Sequence, residues 1–412
     1  MRISSFQAYN MGLKAILDSQ NSVNLTQQQV ATGRRVLTPS DDPIASTKIL
    51  QLQQDLAKGE QYQKNMTAAT NRLELEEVTL GSINLDLTRL QELTINAGTG
   101  TLTITDRQAI AAEVSQIKES LASLLNTKDS SGQHVFSGFK GDVEPFQKNK
   151  SGRYEYHGDD GQKFLAISDT TVVATGDSGK KIFVDVEAAD NTFTTLVNPT
   201  NTGSLQVNPG FVVDDAAYAE FYPDDIIITF NQPSAVNPPN QNYTVRRASD
   251  GRVIQDMTNI GYLPGRDIVI AGTQIEIYGN PDAGDQILIK SSPKQSVLDT
   301  VFRLEQALNT LKDTPDDQAI LGNILDDTIT NLANAQSSVS ETRSHVGARL
   351  NIIDNTRALA EDVALVNEQV LSELSDIDFA EAVSKLSFES FLLEAAQQSY
   401  TTISRLSIFN KL

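Results

Sequence analysis

The sequence predicts an α+β multidomain protein in which long terminal helices form a coiled-coil stalk and a helical domain around an inserted, mostly antiparallel β domain. Three observations predict this. Apolar residues recur three and four apart over both ends of the chain. Between about residues 131 and 292 that period gives way to short alternating apolar runs. The same middle stretch is rich in Gly, Pro, Asn and Asp, which punctuate strands rather than helices.

The first helix carries Phe6, Tyr9, Leu13, Ile16, Gln20, Val23, Gln27 and Val30 at heptad spacing, the signature of a coiled-coil seam. Gly33 is placed to stop it. Thr38-Pro39-Ser40-Asp41-Asp42-Pro43 reads as a loop and N-cap with Pro at the first helical position. A second long helix follows, with Leu73, Leu80, Ile83, Leu87 and Leu90 as a core stripe, fading at Gly98-Thr99-Gly100. Thr105 and Gln108 are read as a capping box for a third helix with the stripe Ile110, Val114, Ile117, Leu121 and Leu124.

In the middle zone, residues 163–167, 181–186, 225–230 and 274–278 read as strands. Helix resumes with Val297, Val301, Leu304, Leu308 and Leu311, and Thr314-Pro315-Asp316-Asp317 caps the next helix. The last stretch runs through Leu359, Val363, Val366, Val370, Leu374 and Ile377 into Phe379, Val383, Leu386, Leu393, Gln397 and Tyr400. It reads as one helix of roughly 55 residues, about 80 Å long at 1.5 Å per residue. A helix of that length outruns its own small domain and needs partners.

The expected partition follows. Residues 1–40 and 373–412 form a terminal assembly region, 41–130 and 293–372 a helical rod, and 131–292 an inserted β-rich outer domain. Residues 1–40 sum to +3 and residues 373–412 to −3, which favours pairing of the two ends in one register. The expected assembly interface is Phe6, Tyr9, Leu13, Ile16, Val23, Val30, Val383, Leu386, Leu393, Tyr400, Ile403, Leu406 and Phe409. Packing such ends on neighbours by one repeated operation builds a helical or ring-like array.

Composition excludes several functions. A net charge of −20 over 412 residues argues against nucleic acid, whose phosphates need a basic face. No stretch approaches the roughly 18 apolar residues of a membrane span. With no cysteine there is no thiolate nucleophile and no Cys-ligated metal. His134, His157 and His345 lie in no zinc-ligand spacing. The paired aspartates read as caps and turns; Gly158-Asp159-Asp160-Gly161 lacks the EF-hand spacing. No nucleophile elbow, phosphate loop or dinucleotide fingerprint is present. The expectation is a non-enzyme without metal or cofactor. The start of the chain has neither an apolar h-region nor a small-residue cleavage site, so export by a cleaved secretory signal is not expected.

Three ordered segments resemble the bacterial flagellin superfamily: Ala31 through Pro43, Val346-Gly347-Ala348-Arg349-Leu350-Asn351, and Asp376 through Tyr400. Together they cover both helical zones, about half the chain. Val135-Phe136-Ser137-Gly138-Phe139-Lys140, Gly279 through Asp285, and the ending Ile403 through Leu412 resemble the hook–filament junction members of that superfamily. The resemblance implies an extracellular component of the bacterial flagellum, exported through the flagellar type III channel. It also implies hook-associated protein 1 and flagellin as neighbours, and a cytoplasmic export chaperone on the C-terminal helix. Two other readings stay open at this point. One is a flagellin-type filament subunit, and the other a β-domain binding module that its helices merely oligomerise.

Overall fold

The computed structural model describes residues 5–100 and 102–409. Seven α-helices follow in chain order: α1 Ser5–Thr32, α2 Pro43–Ala97, α3 Ile104–Leu125, α4 Asp215–Phe221, α5 Val297–Thr310, α6 Pro315–Ser375 and α7 Phe379–Phe409. The described chain divides into two units. The terminal unit holds residues 1–64 and 355–412, and the central unit residues 65–354.

In the terminal unit, α1 ends where the sequence places a glycine. Gly33 adopts φ +70°, a left-handed conformation that only glycine takes without strain. The chain then turns through residues 34–42. Asp41 accepts the amides of Leu37 and Thr38 at 3.1 and 2.7 Å, and Asp42 caps α2 by accepting the Ala45 amide at 3.0 Å.

The single C-terminal helix expected from the periodicity is two helices. α6 stops at Ser375 and α7 starts at Phe379. The break has a local cause. The Ile377 amide donates to the Gly33 carbonyl (3.0 Å), the Arg35 amide donates to the Ser375 carbonyl (2.7 Å), and Arg34 and Asp376 form an antiparallel bridge. Asp378 then N-caps α7, accepting the amides of Ala380 and Glu381 at 2.9 and 3.2 Å. These exchanged hydrogen bonds replace the helical ladder for three residues, so the apolar spacing alone gave no sign of the stop.

The central unit joins a helical body to a β portion. Leu73, Leu80, Ile83, Leu87 and Leu90 of α2 are fully buried, as are Val301, Leu304 and Leu308 of α5. α3 starts two residues earlier than expected. Its capping box is Thr103 and Asp106, not Thr105 and Gln108: the Asp106 amide donates to Thr103 Oγ1 (3.3 Å) and the Thr103 amide to Asp106 Oδ2 (3.0 Å). With that phase, the buried stripe becomes Arg107, Ile110, Ala111, Val114, Lys118, Leu121, Ala122 and Leu125.

The main sheet is five-stranded and antiparallel, in the order 260–261, 242–247, 226–230, 286–295, 186–197. A second sheet pairs 267–270 with 273–278 and 273–278 with 206–207. Ile226, Ile228, Ile275, Ile277, Ile287 and Ile289 fill one cluster that draws on strands of both sheets. The segment 181–186, expected as a strand, is instead a turn of π-helix over Lys180–Val184. Ile182 and Phe183 are both buried, and the Asp185 amide returns to the Lys180 carbonyl.

The strand 186–197 lies at the edge of the main sheet, and side chains occupy its outer backbone groups. Asn334 donates to the Glu187 carbonyl, the Ala189 amide donates to Asn331, Arg303 donates to the Phe193 carbonyl, and Arg153 donates to the Thr195 carbonyl. An edge occupied in this way is closed to pairing with another chain.

Candidate assembly surface

The terminal unit contains the candidate site, and its geometry begins with the phase of two helices. α1 and α7 pack against each other. The less exposed positions along α1 include Gly12, Ile16, Ser19, Val23, Thr26, Val30 and Gly33, spaced alternately four and three. Those along α7 include Ala382, Leu386, Glu389, Leu393, Ala396 and Tyr400, spaced in the same way. Both sets are heptads, and the helices run antiparallel: Gly12 lies against Tyr400, Thr26 bonds to Glu389, and Gly33 lies near Phe379.

This seam differs from the one expected. Ile16, Val23, Val30, Leu386, Leu393 and Tyr400 all lie on it. The alternate positions are one residue earlier than the apolar spacing indicates. Gly12, Ser19 and Thr26 replace Leu13, Gln20 and Gln27, and Ala382 replaces Val383. Small residues at alternate positions let two backbones approach closely, as Gly12 illustrates. A Cβ placed there would lie 3.0 Å from Tyr400 Cδ2.

The displaced residues are on the outside. Leu13 and Val383 are exposed, with Met11, Leu17 and Leu25 on α1 and Phe388, Phe391 and Leu392 on α7. Phe388 and Phe391 are 61% and 65% exposed, and with Leu392 they sit three and four apart on one outward stripe. Leu359, Val363 and Val366 of α6 are likewise exposed, while Ala360, Ala364 and Leu371 are partly covered. Single exposed apolar residues are ordinary on a protein surface; stripes of them on several helices of one unit make these faces the candidate interaction surface. The side chains of Phe6, Tyr9, Ile403, Leu406 and Phe409 lie outside the described residues.

Polar groups set the register. Thr26 is almost fully buried and donates Oγ1 to Glu389 Oε2 at 2.7 Å. At the turn between the helices, Arg35 donates to the Leu374 carbonyl at 3.0 Å and reaches Asp42 at 3.4 Å. The Thr38 amide holds the Asp41 carboxyl below its usual range, the Ala45 amide does the same for Asp42, and the Ser372 hydroxyl for Asp376. All three stay ionised at neutral pH and keep the turn closed.

Heptad reasoning missed Gly12, Ser19, Thr26, Ala382, Glu389 and Ala396 because none is a large apolar residue. It also missed Phe388 and Phe391, although their spacing with Leu392 is itself a helical stripe. No group of His, Cys, Asp or Glu among the described residues is arranged to hold a metal. No helix among them is long and apolar enough to cross a membrane.

Comparison with known proteins finds the following likenesses. Residues 3–140 match the bacterial flagellin N-terminal helical region. The chain is 24% identical over 409 residues to flagellar hook-associated protein 3 of Salmonella typhimurium, covering 99% of each. Its fold is similar to the flagellar hook-associated protein 3 of Legionella pneumophila, with TM-score 0.54 and 29% identity over 79% of this chain and 98% of that one. The FlgL structure from Xanthomonas campestris aligns with TM-score 0.52 and 28% identity over 78% of this chain and 99% of that one.

Proposed function

We propose that this flagellin-superfamily chain, a structural flagellar component akin to hook-associated protein 3 along its whole length, joins the hook to the flagellin filament. The observation that carries the reading is the phase of the terminal unit. Its α1–α7 seam alternates Ile, Val, Leu and Tyr with small residues, while a second set of large apolar side chains, among them Leu13, Leu17, Phe388, Phe391 and Leu392, is turned outward. A helical pair intended only to satisfy itself would place those side chains inside. Turned outward on antiparallel helices, they suit side-by-side contact with neighbouring copies.

In this reading residues 1–40 and 373–412 assemble, 41–130 and 293–372 form a rod, and 131–292 face outward. Copies polymerise through their terminal helices into a helical or ring-like array, with hook-associated protein 1 on one side and flagellin on the other. Before export through the type III channel, a cytoplasmic chaperone covers the C-terminal helix, whose apolar stripe is an aggregation hazard when unpaired.

Immunogold electron microscopy of whole cells with antibody against residues 131–292 tests this. One narrow band between hook and filament is the expected result. Label along the filament would make the chain a filament subunit instead, and absence of flagellar label would overturn the reading.

A further inference from the structure

In the central unit, buried polar atoms gather beside one glycine. Glu76 of α2 is fully buried; its Oε1 accepts the Asp177 amide at 3.1 Å and its Oε2 has no partner among the protein's groups. One turn earlier, Arg72 donates Nη1 to Asp129 at 2.6 Å and leaves its buried Nε without a partner. Asp177 is gripped by both Nη groups of Arg349 on α6, at 2.7 and 3.0 Å.

Between them stands Gly176. A Cβ built on it would lie 3.4 Å from Arg72 Nε, 3.7 Å from Glu76 Oε2 and 3.8 Å from the Val135 carbonyl oxygen. An N–H donor, a carboxyl oxygen and a carbonyl acceptor therefore converge on the hollow that the missing side chain leaves.

We propose that this hollow seats one ordered water shared by Arg72 Nε, Glu76 Oε2 and the Val135 carbonyl, and that this hydrated joint holds the 176–178 turn to α2 and α6. The donor set selects the ligand. Arg72 disfavours a cation, and Asp177 disfavours an anion, so a neutral ligand of one heavy atom fits. Three polar partners are what a buried water ordinarily has. Without a ligand, two buried polar atoms stay unsatisfied, an arrangement folded proteins rarely keep. Burial, reinforced by the neighbouring Asp177 charge, pushes Glu76 up to about 8, so at neutral pH the carboxyl is protonated and able to donate into the hollow.

Three substitutions in the full-length chain test this by thermal unfolding and hydrogen exchange. Gly176→Ala fills the hollow with a methyl group. The backbone φ there is outside the left-handed region, and the contacts are no closer than 3.4 Å. Backbone entropy alone would therefore make Ala neutral or stabilising. The hydrated joint requires the reverse, a Tm lowered by roughly 3 °C or more with faster exchange over 173–178. Gly176→Ser supplies a hydroxyl near the water position and should restore most of that loss. Gly322→Ala, on a helix with open space around it, controls for glycine replacement and should not lower the Tm. An Ala variant as stable as the parent would overturn the proposal. So would a Ser variant no better than Ala, because steric crowding alone would then explain the loss.

Discussion

Thr26 and Glu389, 363 positions apart in sequence, meet in the α1–α7 seam through a 2.7 Å hydrogen bond from the threonine hydroxyl to the glutamate carboxylate. Heptad seams are prone to slip by one repeat, and a single polar pair inside one fixes the register. Thr26→Val keeps the shape and removes the donor. It should lower the stability of the terminal unit by about 1.5–3 kcal/mol, the range for a hydrogen bond to a charged group, read as loss of helical circular dichroism at lower temperature. Glu389→Gln keeps an acceptor and should cost less.

Gly12 and Tyr400 form the other lock. Gly12→Leu places a branched side chain where even a Cβ approaches the tyrosine ring to 3.0 Å. The expected result is separation of the outer ends of α1 and α7, seen as protease cleavage within residues 10–20. Adding Tyr400→Ala should restore protection by making room.

Glu76 gives the central unit a pH dependence. Its folded pKa of about 8 lies above the ordinary 4.5, so the folded state holds a proton that the unfolded chain releases between those values. The stability it contributes is full below about 4.5 and declines as pH rises through about 8. Arg72, Asp177 and Arg349 are the charges facing it. Glu76→Gln should flatten this slope and raise stability at pH 8 by up to about 4 kcal/mol, the upper bound from 1.36 kcal/mol per pKa unit. Urea unfolding at pH 5, 6.5 and 8 measures it; an unchanged slope would refute the assignment.

Arg153 and Asp299 form a buried two-point ion pair at 3.0 and 2.8 Å. Asp299→Ala leaves the guanidinium buried without its counter-charge and should cost about 3–5 kcal/mol. Arg153→Met with Asp299→Leu removes both charges and should be far milder. Urea midpoints of the two variants decide this.

The fold was legible where the residue types match the local structure. The α2 core stripe, the loop at 38–43 and the strands at 226–230 and 273–278 follow from apolar period, capping residues and β-branched runs. Legibility failed where side chains do something period cannot express. The break at 376–378 depends on hydrogen bonds to residues 33–35, some 340 positions away. The π-turn at 180–184 buries two consecutive residues to fill a core that other segments supply. Arg153 and Arg303 are charged, so no apolar pattern marks them as interior. The α1–α7 seam was half legible: Ile16, Val23, Val30, Leu386, Leu393 and Tyr400 stand out in the spacing, but glycine, serine and alanine at the alternate positions do not. Leu13 and Val383 fit the apolar spacing of a seam, yet they lie outside it.

The most direct test of the outward assembly surface is the fraction of hooks that carry a filament in cells whose only copy of this protein has Phe388→Ser and Phe391→Ser. Both side chains point away from the α1–α7 seam, so the purified variant should retain the helical content of the parent. The account predicts that most hooks lose their filaments while that content is unchanged. Hooks that keep their filaments at parental frequency would contradict it.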